Sequence, residues 1–192
     1  MDPALARREL IRGLQLAHAG ELGAVRAYLG HRRAVRKSAE RNAITEILKD
    51  EIRHRRCVFR MLTEAGAKPD PKAERKLDRV GRSIACFSRI GGWFIPMYGA
   101  ARLENDNIVE YEIAARLAWH AGRHGWIDDL LEMAEVEWDH EQILRTLAAS
   151  HWLWKVAPKW RVPPPREEIR TRFEAWIRNP EPVERQRFRL VR

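Results

Sequence analysis

Four glutamates stand at positions where a helical protein ordinarily places an apolar side chain. Glu21 lies between Leu14 and Ala17 on one side and Ala24, Val25 and Tyr28 on the other. Glu51 follows Ile44, Ile47 and Leu48 and precedes Val58; Glu104 follows Met97, Ala100 and Ala101 and precedes Ile108 and Tyr111. Glu137 follows Leu130, Met133 and Ala134 and precedes Leu144. A carboxylate on a buried helix face costs several kcal/mol unless it is paired or bound to a metal. Two of the four carry a histidine three residues on, Glu51 with His54 and Glu137 with His140. Positions i and i+3 share a helix face, so each Glu-x-x-His turn offers a carboxylate oxygen and an imidazole nitrogen to one ion. Two such turns, with one further glutamate from each of two other helices, make up the ligand set of di-iron and di-manganese carboxylate bundles. The alternative is four snorkelling or ion-paired glutamates beside two hydrogen-bonded histidines, in a chain with 36 Lys and Arg to pair them.

The mixture suits oxygen chemistry. Carboxylates balance the charge of two ions and bridge them, while a single imidazole per ion leaves coordination positions open for dioxygen. The candidate metal ligands are therefore Glu21, Glu51, His54, Glu104, Glu137 and His140. The expected cofactor is a pair of iron ions, with manganese using the same ligand types.

Apolar positions recur at helical spacing through most of the chain. Helices are expected over about Ala4–Lys37, Ala39–Ala65, Met97–Ala121 and Ile127–Ser150, with Gly66, Gly122 and Gly125 as natural stops. The stretch from Lys72 to Arg89 reads as a linker, charged at first and apolar towards Ile90. Glu21 and Glu51 are 30 residues apart, and Glu104 and Glu137 are 33 apart. Each half is thus a helical hairpin of similar length, joined to the other by a long connection. The expected fold is all-α, a ferritin-like four-helix bundle with a long crossover between two hairpins. Residues 1–150 form that domain. Residues 151–192 form a basic, Trp-rich extension with 11 Lys and Arg against 5 Asp and Glu, a Pro163-Pro164-Pro165 break and a helix from about Arg166 to Ile177.

Length and composition agree with one well-cored domain and a tail. The net charge of +9 suggests an anionic neighbour, a nucleic acid or an acidic lipid surface. No nucleic-acid motif is found, so nucleic acid is not expected as a partner. Cys57 and Cys86 have no metal-type spacing, and their apolar neighbours suggest buried, reduced thiols. Met1 to Arg12 lacks the apolar core of a signal peptide, and no run approaches the roughly 20 apolar residues needed to cross a bilayer. Ile90–Tyr98, with Trp93, Phe94 and Ile95, and Trp152, Trp154 and Trp160 beside Lys155 and Lys159 have the composition of a lip lying on a membrane. The competing reading is that they cap the bundle or form a contact between copies, and homo-oligomerisation is left open.

The run His18-Ala19-Gly20-Glu21-Leu22-Gly23-Ala24-Val25-Arg26-Ala27-Tyr28-Leu29-Gly30 resembles the signature of the demethoxyubiquinone hydroxylase family of ubiquinone biosynthesis. Glu51-Ile52-Arg53-His54 and Glu137-Trp138-Asp139-His140 resemble that family's two Glu-x-x-His turns, and Glu104 falls at its third-helix glutamate. The resemblance spans roughly Gln15 to Leu147. It implies a di-iron monooxygenase that hydroxylates the ring of a prenylated quinone or quinol with dioxygen, peripherally on the cytoplasmic face of a membrane. It further implies that Glu51 and Glu137 bridge the ions, that Glu21 with His54 and Glu104 with His140 complete them, and that Tyr111 is a catalytic residue in redox or substrate contact. A plain core aromatic is the other reading of Tyr111. Glu110 stands where the family is expected to have histidine and is a candidate extra carboxylate. Ala17 replaces a frequent Asp, and the tail differs from the family's apolar ending. The function from another class is a ferritin-like or rubrerythrin-like protein handling iron or peroxide.

Overall fold

The fold follows from long helices, two of which end at a glycine. A computed structural model describes residues 1–90, 92–180 and 183. Its helices are α1 (Pro3–Ala34), α2 (Ser38–Glu64), α3 (Pro71–Ile90), α4 (Phe94–His120), α5 (Ile127–Ala149) and α6 (Glu168–Arg178), and no strand occurs among the described residues. Asp2 opens α1 by accepting the Ala4 amide at 3.0 Å, with Pro3 in the first turn where a missing N–H costs nothing. Gly66 closes α2 in a left-handed conformation (φ +71°), with the Ala67 amide donating to Leu62 O at 2.9 Å and the Gly66 amide to Thr63 O at 3.0 Å. That is a Schellman end, and Gly122 repeats it after α4.

Helices α1, α2, α4 and α5 form the bundle. α1 and α5 run one way, α2 and α4 the other, as the pairings Glu21–Tyr111 with Tyr28–Glu104, His18–Arg55 with Arg7–Ala65, and Asp50–His140 with Arg60–Asp129 require. Apolar side chains fill it in two clusters. One holds Leu10, Leu14, Met61, Leu62, Leu117 and Leu130; the other holds Ile44, Ile47, Met97, Ala101 and Leu144. The glutamates sit at the level between the two.

The stretch expected as a linker is a full helix. Asp70 caps α3 by accepting the Lys72 amide at 2.8 Å, and Pro71 fits its first turn. α3 lies parallel to α1 and carries the chain back along the bundle, so it is the crossover. Its dense charge and interior glycine hid it in the sequence. Gly81 is what lets it form here: a Cβ on Gly81 would meet Gly23 O at 2.3 Å, and one on Gly30 would meet the Ala85 Cβ at 2.2 Å. The two backbones touch where no side chain intervenes. Cys86, expected to be buried, is exposed on α3, whereas Cys57 is partly buried; both are free.

Other boundaries move by a few residues. α1 stops at Ala34 because Val35 turns extended and caps onto His31 O at 3.1 Å. α4 begins at Phe94, three residues earlier than expected, because Pro96 falls in the first turn, where its missing N–H is harmless. The extension folds back on the bundle. α6 buries Ile169 and Phe173 in the first apolar cluster, and the Trp138 indole donates to Pro164 O at 2.8 Å. Arg170 and Arg172 pair with Glu135 and Glu112 at 2.8 and 2.5 Å, so part of the tail's positive charge is answered within the chain. Residues 181–182 and 184–192 of the expected extension lie outside the described residues, as does Gly91 of the expected lip.

Most of the lip aromatics pack on one another. Phe94 stacks on His151 with centroids 4.7 Å apart, Tyr98 meets Trp160 edge-on at 5.2 Å, and Trp154 meets Trp160 at 5.5 Å. Ile95 and Trp152 remain largely exposed.

Candidate metal centre

Each bundle helix brings one glutamate to the same level, and all four are buried. Glu21 comes from α1, Glu51 from α2, Glu104 from α4 and Glu137 from α5. His54 and His140, one turn on along α2 and α5, are buried with them. Ligand atoms of Glu21, Glu51, His54 and Glu137 lie within 4.8 Å of one another, and so do those of Glu51, Glu104, Glu137 and His140. The two groups share Glu51 and Glu137. Each group offers three carboxylates and one imidazole, a donor set suited to a hard or borderline divalent ion.

The carboxylates are poorly satisfied by protein alone. Both Glu51 oxygens and Glu21 Oε2 are buried without an aligned hydrogen-bond partner, although His140 Nδ1 stands 3.2 Å from Glu51 Oε1. Buried acceptors of this kind are costly unless a cation or donor answers them. Their acidities record the same strain. Burial, then the charges of Glu137 and Glu104, push the Glu51 carboxyl up to about 7. Burial and the charge of Glu137 push Glu104 up to about 8. Glu21 is raised by burial and Glu51. Burial opposes protonation of His140, yet hydrogen bonds to Asp50, Glu137 and Glu51 hold its imidazole well above the usual range, while burial lowers that of His54. Burial and the repulsion among four carboxylates at this level favour their neutral forms, and a cation placed among them would favour the charged ones. The residues therefore fit a pair of metal ions.

The outer contacts follow a reciprocal pattern. The hydroxyl of Tyr111, seven residues after Glu104 on α4, donates to Glu21 on α1. The hydroxyl of Tyr28, seven residues after Glu21 on α1, donates to Glu104 on α4. Asn107 Nδ2 adds a second donor to Glu104 at 2.8 Å. The role of Tyr28 escaped the sequence reading, although the same seven-residue spacing from Glu21 signalled it. Asp50 was missed as well. Its Oδ2 lies 3.2 Å from His140 Nε2. Asp139 and Glu141, which flank His140, turn elsewhere: Asp139 to Arg166 at 3.2 Å, and Glu141 to Arg145 and the Trp160 indole at 2.7 and 2.8 Å.

A cavity of about 610 Å³ opens between α1, α3 and α4 onto this level. Glu21, Glu51 and Glu104 line it, with Tyr28 and Tyr111; Glu137, His54 and His140 do not. Along its α1 wall the small residues Gly13, Ala17, Gly20, Ala24 and Ala27 recur over a length of about 21 Å, beside the bulkier Leu14, Tyr28 and His31. α3 closes the far side with Leu77, Val80, Gly81 and Ile84. Phe87, Ile95 and Leu103 line the cavity while 68%, 64% and 47% exposed, so they form an apolar rim. Glu110 lines the cavity beside Tyr111 and belongs to neither ligand group. His31 is a buried polar group on the wall, kept neutral because burial lowers it to about 4.

Residues 8–71 match the family model described as ubiquinone biosynthesis protein COQ7. The match covers most of α1 and all of α2, and with them Glu21, Glu51 and His54. No curated protein and no solved structure matches the chain.

Proposed function

We propose that the chain is a di-iron monooxygenase that hydroxylates the ring of a prenylated quinone or quinol in ubiquinone biosynthesis. One observation carries the reading: an apolar cavity ends on three of the carboxylates of the candidate metal centre. The similarity of residues 8–71 to a ubiquinone-biosynthesis family supports the same direction. An iron pair would supply the activation of dioxygen, one oxygen atom entering the ring C–H and the other leaving as water, with two electrons from an external reductant and two protons.

The chain's own residues do the positioning. Glu51 and Glu137 stand in both ligand groups and are the proposed bridges. Tyr111 and Tyr28 pin Glu21 and Glu104, fixing the carboxylate faces that line the cavity. Tyr111 is also proposed to touch the substrate ring, because it lines the cavity at this level. The trough along α1 accepts a slender apolar chain, and the lack of bulk at Gly13, Ala17 and Gly20 sets its width. Walls of Leu, Val, Ile and Ala keep water from the reacting ring.

The rim of Phe87, Ile95 and Leu103, with Arg102 beside it, is proposed to rest on an anionic membrane surface, where a prenylated substrate resides. No helix among the described residues is long and apolar enough to cross a membrane. The direct test is anaerobic reconstitution with ferrous iron, followed by oxygen, a reductant and a demethoxyquinone. Ring hydroxylation coupled to oxygen uptake is expected. Clean peroxide turnover with no hydroxylated product would replace this reading with a rubrerythrin-like one.

A further inference from the structure

We propose that Asp50 makes the two metal positions unequal, so that the position built on Glu104 and His140 fills before the one built on Glu21 and His54. The inference rests on the di-metal reading above. The two Glu-x-x-His turns look equivalent in sequence, but their histidines are held differently. His140 turns Nδ1 inward, 3.2 Å from Glu51 and 3.3 Å from Glu137, and Nε2 outward to Asp50 Oδ2 at 3.2 Å. His54 also turns Nδ1 inward, 3.1 Å from Glu137, but its Nε2 is buried with no hydrogen-bond partner.

A carboxylate that accepts the outer N–H of a ligating histidine does two things. It fixes the tautomer, leaving the lone pair on the inner nitrogen, and it raises the basicity of the ring as a donor. Asp50 does both for His140. His54 has its inward contact with Glu137 but no acceptor on its outer nitrogen, and the Tyr111 ring packs edge-on against it at 6.0 Å. Asp50 precedes Glu51 on α2, so one turn of that helix supplies both a proposed bridge and the clamp on the α5 histidine. Arg53 lies 3.6 Å from Asp50 Oδ1 and reaches Glu132 at 2.7 Å, while the other Asp50 oxygen, Oδ2, faces His140.

Removing such an outer carboxylate typically weakens metal binding about 10- to 100-fold. The test is anaerobic titration with cobalt(II) alone, read by its visible absorption and by equilibrium dialysis. The wild-type protein is expected to bind two equivalents in two resolved steps. Asp50→Asn, which keeps the side-chain shape, should weaken the tighter step by about 10- to 100-fold and leave the weaker step within about threefold. A second pair of variants makes the result independent of that one substitution. His54→Ala should keep the tight equivalent, and His140→Ala should lose it. Equal weakening of both steps by Asp50→Asn, no change in either, or retention of the tight step in His140→Ala would overturn the inference. A wild-type protein that binds no cobalt would overturn the metal-centre reading itself. Two-equivalent binding without an Asp50 effect would sink the inference alone.

Discussion

Glu51 is shared by both ligand groups, as is Glu137. It is wholly buried and has neither oxygen aligned with a donor. Glu51→Ala is therefore expected to lower bound metal from two equivalents to less than one, as measured by elemental analysis, whereas Glu21→Ala should cost mainly the equivalent shared with His54. Retention of full metal content in Glu51→Ala would refute the assignment. The same crowding predicts a pH effect. Glu51 and Glu104 are held at about 7 and about 8, against about 4.3 in an unfolded chain. Between those limits the folded chain holds more protons than the unfolded one, so folding stability falls as pH rises. In metal-free protein this contribution is complete below about pH 4 and is lost by about pH 8. The thermal midpoint of a Glu51→Gln, Glu104→Gln protein should thus decline less over that range than that of the wild type. The tyrosines act on the same charges. Tyr111→Phe removes the hydroxyl donor of Glu21, and Tyr28→Phe leaves Glu104 with the Asn107 donor; the two changes should each cost about 1–3 kcal/mol in urea unfolding, the first more than the second. If Tyr111 also contacts the ring, its variant alone should lose turnover beyond that.

At the scale of elements, the close contact of α1 with α3 decides the shape of the cavity. Gly30 and Gly81 allow it, because a Cβ at either would stand within 2.3 Å of the opposite helix. Gly81→Val should push α3 outward, cost about 1–3 kcal/mol, and open the trough to water. Protection of the α3 amides from hydrogen exchange would report the displacement. Gly99 in α4 is the control. A Cβ there meets nothing within 4 Å, so Gly99→Ala should raise stability by about 0.5–1 kcal/mol. The helices of the bundle were legible because their apolar periodicity is long and uninterrupted. α3 was not, because a helix that packs through glycine and alanine leaves little hydrophobic signal. Its strong segregation of charge to one face was the available clue.

The whole molecule couples an internal centre to one apolar rim. The rim prediction belongs at this scale. Phe87→Glu with Ile95→Glu should reduce sedimentation with anionic vesicles without altering metal content, and the wild-type interaction should weaken with salt, since the chain carries a net charge of +9. Vesicle binding indifferent to both changes would remove the rim from the proposal. Composition pointed to the tail as the other basic surface. Arg170 and Arg172 instead answer Glu135 and Glu112 while Ile169 and Phe173 enter the core, a use of charge that counting residues does not reveal.

The sequence by itself determined the bundle helices and the convergence of six polar side chains on their inner faces. Helical spacing is a local property, and a glutamate or histidine on an apolar stripe has one place to go. Tertiary structure alone decided the rest. It turned the linker into α3 and opened the cavity between α1 and α4. It set Tyr28 against Glu104, Tyr111 against Glu21 and Asp50 against His140. Each of these joins residues far apart in the chain, and the packing of one helix on another sets their distances. The six side chains that began as a spacing thereby share a buried level with a cavity above it and two histidines that are not alike.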